Sequence, residues 1–108
     1  MKVSLRDLKE LFNLESIFPF PIGTPIYFRG CIYSGTGRIK KIQGKWLILS
    51  EATYITTDGR YSDATKNGIQ NTNESEIEPV GGDGILAVNT DVISDICKHP
   101  EPLPSKQK

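Results

Sequence analysis

Histidine, tryptophan and methionine occur once each in these 108 residues, and cysteine occurs twice. One imidazole and two distant thiols, Cys31 and Cys97, assemble neither a zinc site nor a disulfide framework. The thiols sit in apolar strand contexts and read as small packed hydrophobes. An excess of either charge is missing too, with 13 basic and 13 acidic residues. Non-specific nucleic-acid binding draws its affinity from phosphate neutralisation, so an RNA role here would need a local basic patch or a short ligand. No long apolar run is present, and the Met-Lys-Val start carries no secretory apolar region. These absences predict a cytoplasmic protein with no membrane partner.

What remains is 37% apolar and 24% charged residues, the balance of a soluble globular chain. The length suits one domain with a modest core, expected over residues 1–98, with 99–108 as a disordered, Pro-containing tail. Leu5, Leu8, Leu11 and Phe12 share one face of an amphipathic helix over 4–14, with Ser4 as N-cap and Asp7 completing an approximate capping box. Pro19, Pro21 and Pro25 make 17–25 an extended connector whose apolar residues pack on the body.

Strand signals follow. Over 26–33, Ile26, Phe28, Gly30 and Ile32 alternate with Tyr27, Arg29, Cys31 and Tyr33, and Gly30 marks a bulge or bend. Lys40-Lys41 breaks the alternation of the next strand, which predicts strong curvature. Gln43-Gly44 turns the chain into Trp46-Leu47-Ile48-Leu49, an apolar run typical of a strand covered on both sides. Residues 56–79 form the long variable segment, with a short helix over 62–68 capped by Ser62 and stopped by Gly68. Residues 85–88 and 92–96 form a hairpin around Asn89-Thr90-Asp91. The expected fold is mainly β: a small, strongly bent five-stranded barrel over 26–96.

Gly35-Thr36-Gly37, Leu47-Ile48-Leu49-Ser50-Glu51-Ala52 and the closing 85–96 unit resemble the Sm and Lsm proteins over roughly residues 4–96. The resemblance implies an Sm-like barrel that assembles into rings. Two family motifs are replaced, one by Gln43-Gly44-Lys45 and one by Asn89-Thr90, so the family's uridine pocket does not carry over. The order of Leu-Ser-x-Ala, Asp-Gly, Ser-x-Ala and Gly from Leu47 to Gly68 is similar to small phage-encoded Sm-like proteins.

Catalysis needs a base, nucleophile or metal set in one pocket. His99 lies in the Pro-containing tail, where it reads as solvated. The acids are scattered, with Glu74, Glu76 and Glu78 forming a solvated stripe. Gly35-Thr36-Gly37 and Gly81-Gly82-Asp83-Gly84 lack the Lys-Ser/Thr of a phosphate loop. The expectation is a non-enzymatic protein with no cofactor and no metal. Binding has better candidates. Arg60 and Tyr61, after the Asp58-Gly59 turn, pair a bidentate phosphate donor with a stacking ring, unless Tyr61 merely anchors the loop. Arg29 or Asn89 would reach in from the barrel. Tyr27, Arg29 and Tyr33, with Arg38, Lys40 and Lys41, form a second basic-aromatic set, otherwise an ordinary strand face or subunit edge. The sequence therefore predicts a homo-oligomer capturing a small phosphorylated nucleotide, such as a signalling nucleotide in phage counter-defence. The alternatives are an RNA-binding ring and a structural accessory that binds a protein partner.

Overall fold

A computed structural model describes residues 18–57, 65–72 and 75–108. The described residues are mainly β and hold six antiparallel strands: β1 (Pro25–Gly30), β2 (Ser34–Gln43), β3 (Trp46–Thr57), β4 (Glu76–Pro79), β5 (Leu86–Asn89) and β6 (Ile93–Lys98). They form one sheet in the order β4-β3-β2-β1-β6, with β5 pairing β3 beside β4. The sheet is not closed into a barrel, and it has one strand more than expected. The extra strand is β4, where Glu76 and Glu78 are exposed and Ile77 is buried, so the acidic stripe is the solvent face of a strand. The expected helix over 4–14 lies outside the described residues.

β3 organises the sheet because it serves different partners along its length. Residues Trp46, Leu47, Ile48 and Leu49 pair with β5, while Thr53, Tyr54, Ile55 and Thr57 pair with β4. Between the two halves, Glu51 and Ala52 oppose the single residue Gly37 on β2, and Glu51 has φ of 52°. This is a β-bulge, which inserts a residue and bends the strand. An extra residue also swaps the two side-chain faces. Leu47 and Leu49 therefore enter one core with Ile26, Phe28, Ile39, Ile42, Ala52 and Val88. Ile55, of the same parity, enters a second core with Tyr27, Ile69 and Ile77.

β1 is consequently covered on both faces, and Tyr27, expected to face outward, is fully buried. The run from Trp46 to Leu49 does the reverse: Leu47 and Leu49 are buried but Trp46 is 48% exposed, because one face of this half lies open. Lys40 is the extra residue of a second bulge, the break expected from Lys40-Lys41, and it keeps Ile39 and Ile42 in the same core. The register also shifts at Gly30 as expected. Gly44 (φ 59°) and Lys45 form the turn between β2 and β3. The 18–24 connector packs as its apolar residues predict, with Phe18 and Phe20 against the first core.

Three further expectations differ. β5 and β6 do not pair as a hairpin; a 3-10 turn, Thr90–Val92, carries the chain from the β3 edge to the β1 edge. Cys31 is exposed rather than packed, because the chain has left β1 after Gly30. The 99–108 segment lies against the sheet, where His99 is 1% and Leu103 7% exposed. Of the expected 62–68 helix, residues 65–67 are helical and 62–64 lie outside the described residues.

Gly37 makes the bulge possible by its small size. A Cβ there would lie 2.8 Å from Leu49 Cβ and 3.2 Å from the Ser50 carbonyl oxygen. Gly37→Ala is expected to cost about 1–3 kcal/mol through overpacking. Gly81→Ala, whose Cβ meets nothing within 4 Å, serves as the control and leaves the urea midpoint close to that of the parent protein.

Candidate functional site

The strand pairing carries the sequence-derived candidates to different places. Arg29 stands near the end of β1, opposite Ser34 on one side and Asp95 on the other. Its Nε and Nη2 both donate to Asp95 Oδ2 at 2.9 Å. Both side chains are almost half exposed, so the pair contributes little stability. It does hold the guanidinium at the sheet margin. Asn89 lies opposite Trp46 at the start of β3, whereas Ser34 pairs with Ile55 near its end. Arg29 and Asn89 are thus not brought together. Asn89 Oδ1 accepts the Asp91 N–H at 2.9 Å and caps the 3-10 turn, which is a structural role. Arg60 and Tyr61 lie outside the described residues, in the segment that leaves β3 after Thr57.

The second basic-aromatic set does not form a patch. Tyr27 is in the core. Arg38 donates through Nε to Glu51 Oε2 at 2.7 Å and through Nη2 to Glu101 Oε1 at 2.5 Å, with Nη1 on the Gly23 carbonyl at 3.1 Å. Two carboxylates thus more than offset its single charge. Lys40 and Lys41 remain on the exposed surface.

Tyr33, by contrast, belongs to an aromatic series that runs from the first core to solvent. Its ring meets Phe28 edge-on at 5.8 Å and Tyr54 edge-on at 5.4 Å, both at 76°. These are favourable aromatic geometries. The bulge explains Tyr54: counted beyond it, Ala52 and Tyr54 share the face toward the first core, past the point where the core ends. Tyr33 and Tyr54 form one wall of an open cleft of about 690 Å³ with Ile32, Ser34, Thr56 and Glu78. Ile32 is 82% exposed and Tyr54 36%.

The cleft combines an angled aromatic wall with short hydroxyl side chains. Burial, reinforced by nearby Tyr54, pushes the Tyr33 phenol up, so Tyr33 remains a neutral hydrogen-bond donor. At the β4 side, Thr56 Oγ1 donates to Glu76 Oε2 at 3.2 Å, and Glu78 also lines the cleft. The Glu78 carboxylate disfavours an anion on that flank. Such a cleft suits a planar ring that stacks, with an anionic group placed away from β4. Tyr54 is not among the sequence-derived candidates, because its exposure depends on the bulge three residues earlier.

A second cleft, about 540 Å³, is lined by Arg38, Lys98, His99 and Glu101 among others. Arg38, His99 and Glu101 are already engaged. The Pro100 carbonyl lies 2.7 Å from His99 Nδ1 and can only accept, so Nδ1 carries the proton. Nε2 then accepts the Ile69 N–H at 3.1 Å. His99 is therefore a neutral crosslink between β6 and the 3-10 turn Ile69–Asn71, not the solvated side chain expected from its tail position. Among the described residues there is no cluster of His, Cys, Asp and Glu that would hold a metal ion, and no helix is long and apolar enough to cross a membrane.

Burial lowers the His99 pKa, outweighing the opposing hydrogen bond to Pro100. The unfolded chain, with an ordinary imidazole near about 6.5, therefore binds the proton more readily than the folded chain. Stability from this group is fully present above that value and is lost as the pH falls from it toward the lowered folded pKa. The melting temperature is expected to fall across this window, and His99→Gln should flatten that part of the profile. An equal slope in parent and variant would contradict the assignment.

No family model, no curated protein and no solved structure matches this chain.

Proposed function

We propose that the protein is a non-enzymatic, homo-oligomeric binding module that captures a small phosphorylated nucleotide at or near a subunit edge. The Tyr33–Tyr54 wall of the open cleft carries this reading. Exposed aromatic rings are stacking surfaces for bases, worth about 1–3 kcal/mol per base. The phosphate falls to Arg60 in the segment beginning after Thr57, with Tyr61 as a second stacking ring and Arg29 reaching in from the sheet. Arg29 exchanges or shares its Asp95 contact with the ligand. Asn89 holds the β5–β6 turn and is not part of this site.

Assembly draws support from the sheet margins. β5 pairs only with β3 and β6 only with β1 among the described residues. Unpaired strand edges of this kind template pairing with another chain. Ile32 and Trp46 add exposed apolar surface near these margins. The order β5-β3-β2-β1-β6, with a 3-10 turn joining its two ends, is also compatible with the small bent barrel that the Sm-like resemblance implies. The zero net charge, the Arg60-Tyr61 pair and the replaced family motifs favour a small signalling nucleotide, such as one of a host defence system, over RNA.

The reading is tested by calorimetric titration with 5′-mononucleotides, cyclic dinucleotides and single-stranded RNA at two salt concentrations. Saturable binding of a mononucleotide or cyclic dinucleotide, with a shallow salt slope, is the expected result. A steep salt slope with RNA alone would establish the RNA-binding alternative, and silence throughout would leave a protein-binding accessory. Tyr54→Ala should weaken nucleotide binding by about 1–3 kcal/mol through lost stacking. Arg60→Ala should weaken it roughly ten- to a hundredfold, the scale of a charge-assisted phosphate contact.

Light scattering gives an independent check on assembly. The expected result is a multimer at high micromolar concentration, unchanged by Arg60→Ala. A clean 12 kDa monomer would contradict the homo-oligomer.

A further inference from the structure

The outer edge of β4 carries a contact that the nucleotide reading does not use. The Ile77 N–H donates to the Lys108 carbonyl at 2.9 Å, and the Lys108 N–H donates to the Ile77 carbonyl at 3.0 Å. This reciprocal pair is the start of a strand addition. From that anchor the Lys108 ammonium reaches the Gln70 carbonyl at 2.9 Å, Ser75 Oγ at 3.1 Å and the Thr72 carbonyl. An ammonium has three donors, and here it finds three oxygens.

The oxygens are set by the local fold. The 3-10 turn Ile69–Asn71 ends at Thr72, whose backbone is extended, and the Gln70 and Thr72 carbonyls meet at one point. Ser75 is 4% exposed, and its Oγ donates to the Ile69 carbonyl at 2.6 Å, leaving a lone pair for Lys108. The Ile69 N–H is itself fixed by His99. The three acceptors are two carbonyls and a hydroxyl, with no carboxylate. Such a cage recognises a group with several N–H donors in a compact head, which favours a primary ammonium over a planar guanidinium.

We propose that the β4 edge and this oxygen cage form a lysine-reading strand-addition site, filled by the chain's own Lys108 and able to accept the same segment from a second copy. A single residue's pair of backbone bonds holds the strand, so the occupant can be exchanged. Pro100, Pro102 and Pro104 make the preceding stretch a semi-extended spacer, suited to presenting the strand outward. The occupant's fit is seen in Leu103, 7% exposed, and in the Pro102 carbonyl, which accepts Gln70 Nε2 at 2.8 Å. The site is separate from the Tyr33–Tyr54 cleft, so its test is independent of the nucleotide reading.

The probe is a fluorescent peptide of sequence Pro-Leu-Pro-Ser-Lys-Gln-Lys, followed by anisotropy with the full-length Lys108→Ala protein. The control peptide has alanine as its last residue. The lysine peptide should bind at least about tenfold more tightly than the control, as expected for losing charge-assisted hydrogen bonds. It should also bind the Lys108→Ala protein more tightly than the parent, whose own lysine competes for the cage. Equal binding of the two peptides, equal binding to the two proteins, or no binding would overturn the proposal. Lys108→Met, which keeps most of the aliphatic stem, replaces Lys108→Ala if the latter does not fold.

Discussion

The bulge at Glu51 and Ala52 is the constraint on which the rest of this sheet depends. A regular twelve-residue strand would send alternate side chains to two fixed faces from end to end. One inserted residue exchanges those faces, so that Leu47 and Leu49 enter one core and Ile55 enters another. The same bend lets β3 pair with β5 in its first half and β4 in its second. Glu51 adopts a left-handed backbone conformation uncommon for a residue with a side chain. The conformation is flanked by the Arg38–Glu51 ion pair and by two backbone bonds of Ala52, whose N–H donates to Gly84 and whose carbonyl accepts from Val80.

The bulge also sets the site. Beyond it, Tyr54 takes the face of the first core but stands outside that core's end. Tyr33 fills the gap between Tyr54 and buried Phe28, making the aromatic surface continuous from interior to solvent. On the other face, His99 holds the Ile69 N–H and Lys108 holds Ser75. The second core joins Tyr27, Ile55, Ile69 and Ile77, residues distant in sequence.

Much of this architecture was legible in short-range pattern. Alternation located β1, Gly30 and Lys40-Lys41 marked real irregularities, and Gly44 marked the turn before Trp46. What escaped has a common cause. Tyr27 reads as outward-facing until Ile69 and Ile77 cover it, and those residues arrive from more than forty positions away. Glu76-Ile77-Glu78 alternates like a strand, but the acids around it suggest a solvated loop. Asn89-Thr90-Asp91 has turn chemistry, yet a turn signal does not say whether its flanking strands pair with each other. His99 sits among prolines that resemble a free tail, and its burial depends on a backbone N–H thirty residues upstream. For the site, Arg29 was placed at a sheet margin, while Asn89 proved to be a cap. Tyr54 was hidden because its direction is fixed by the bulge rather than by alternation.

The account's central claim is that the Tyr33–Tyr54 wall is where a nucleotide stacks. Amide and aromatic NMR shifts recorded during titration with a cyclic dinucleotide test it residue by residue. The account predicts the largest perturbations at Tyr33, Ser34, Tyr54 and Thr56, with Lys40, Lys41 and Trp46 unmoved. Perturbations concentrated at Lys40 and Lys41, or spectra unchanged at saturating ligand, would contradict it.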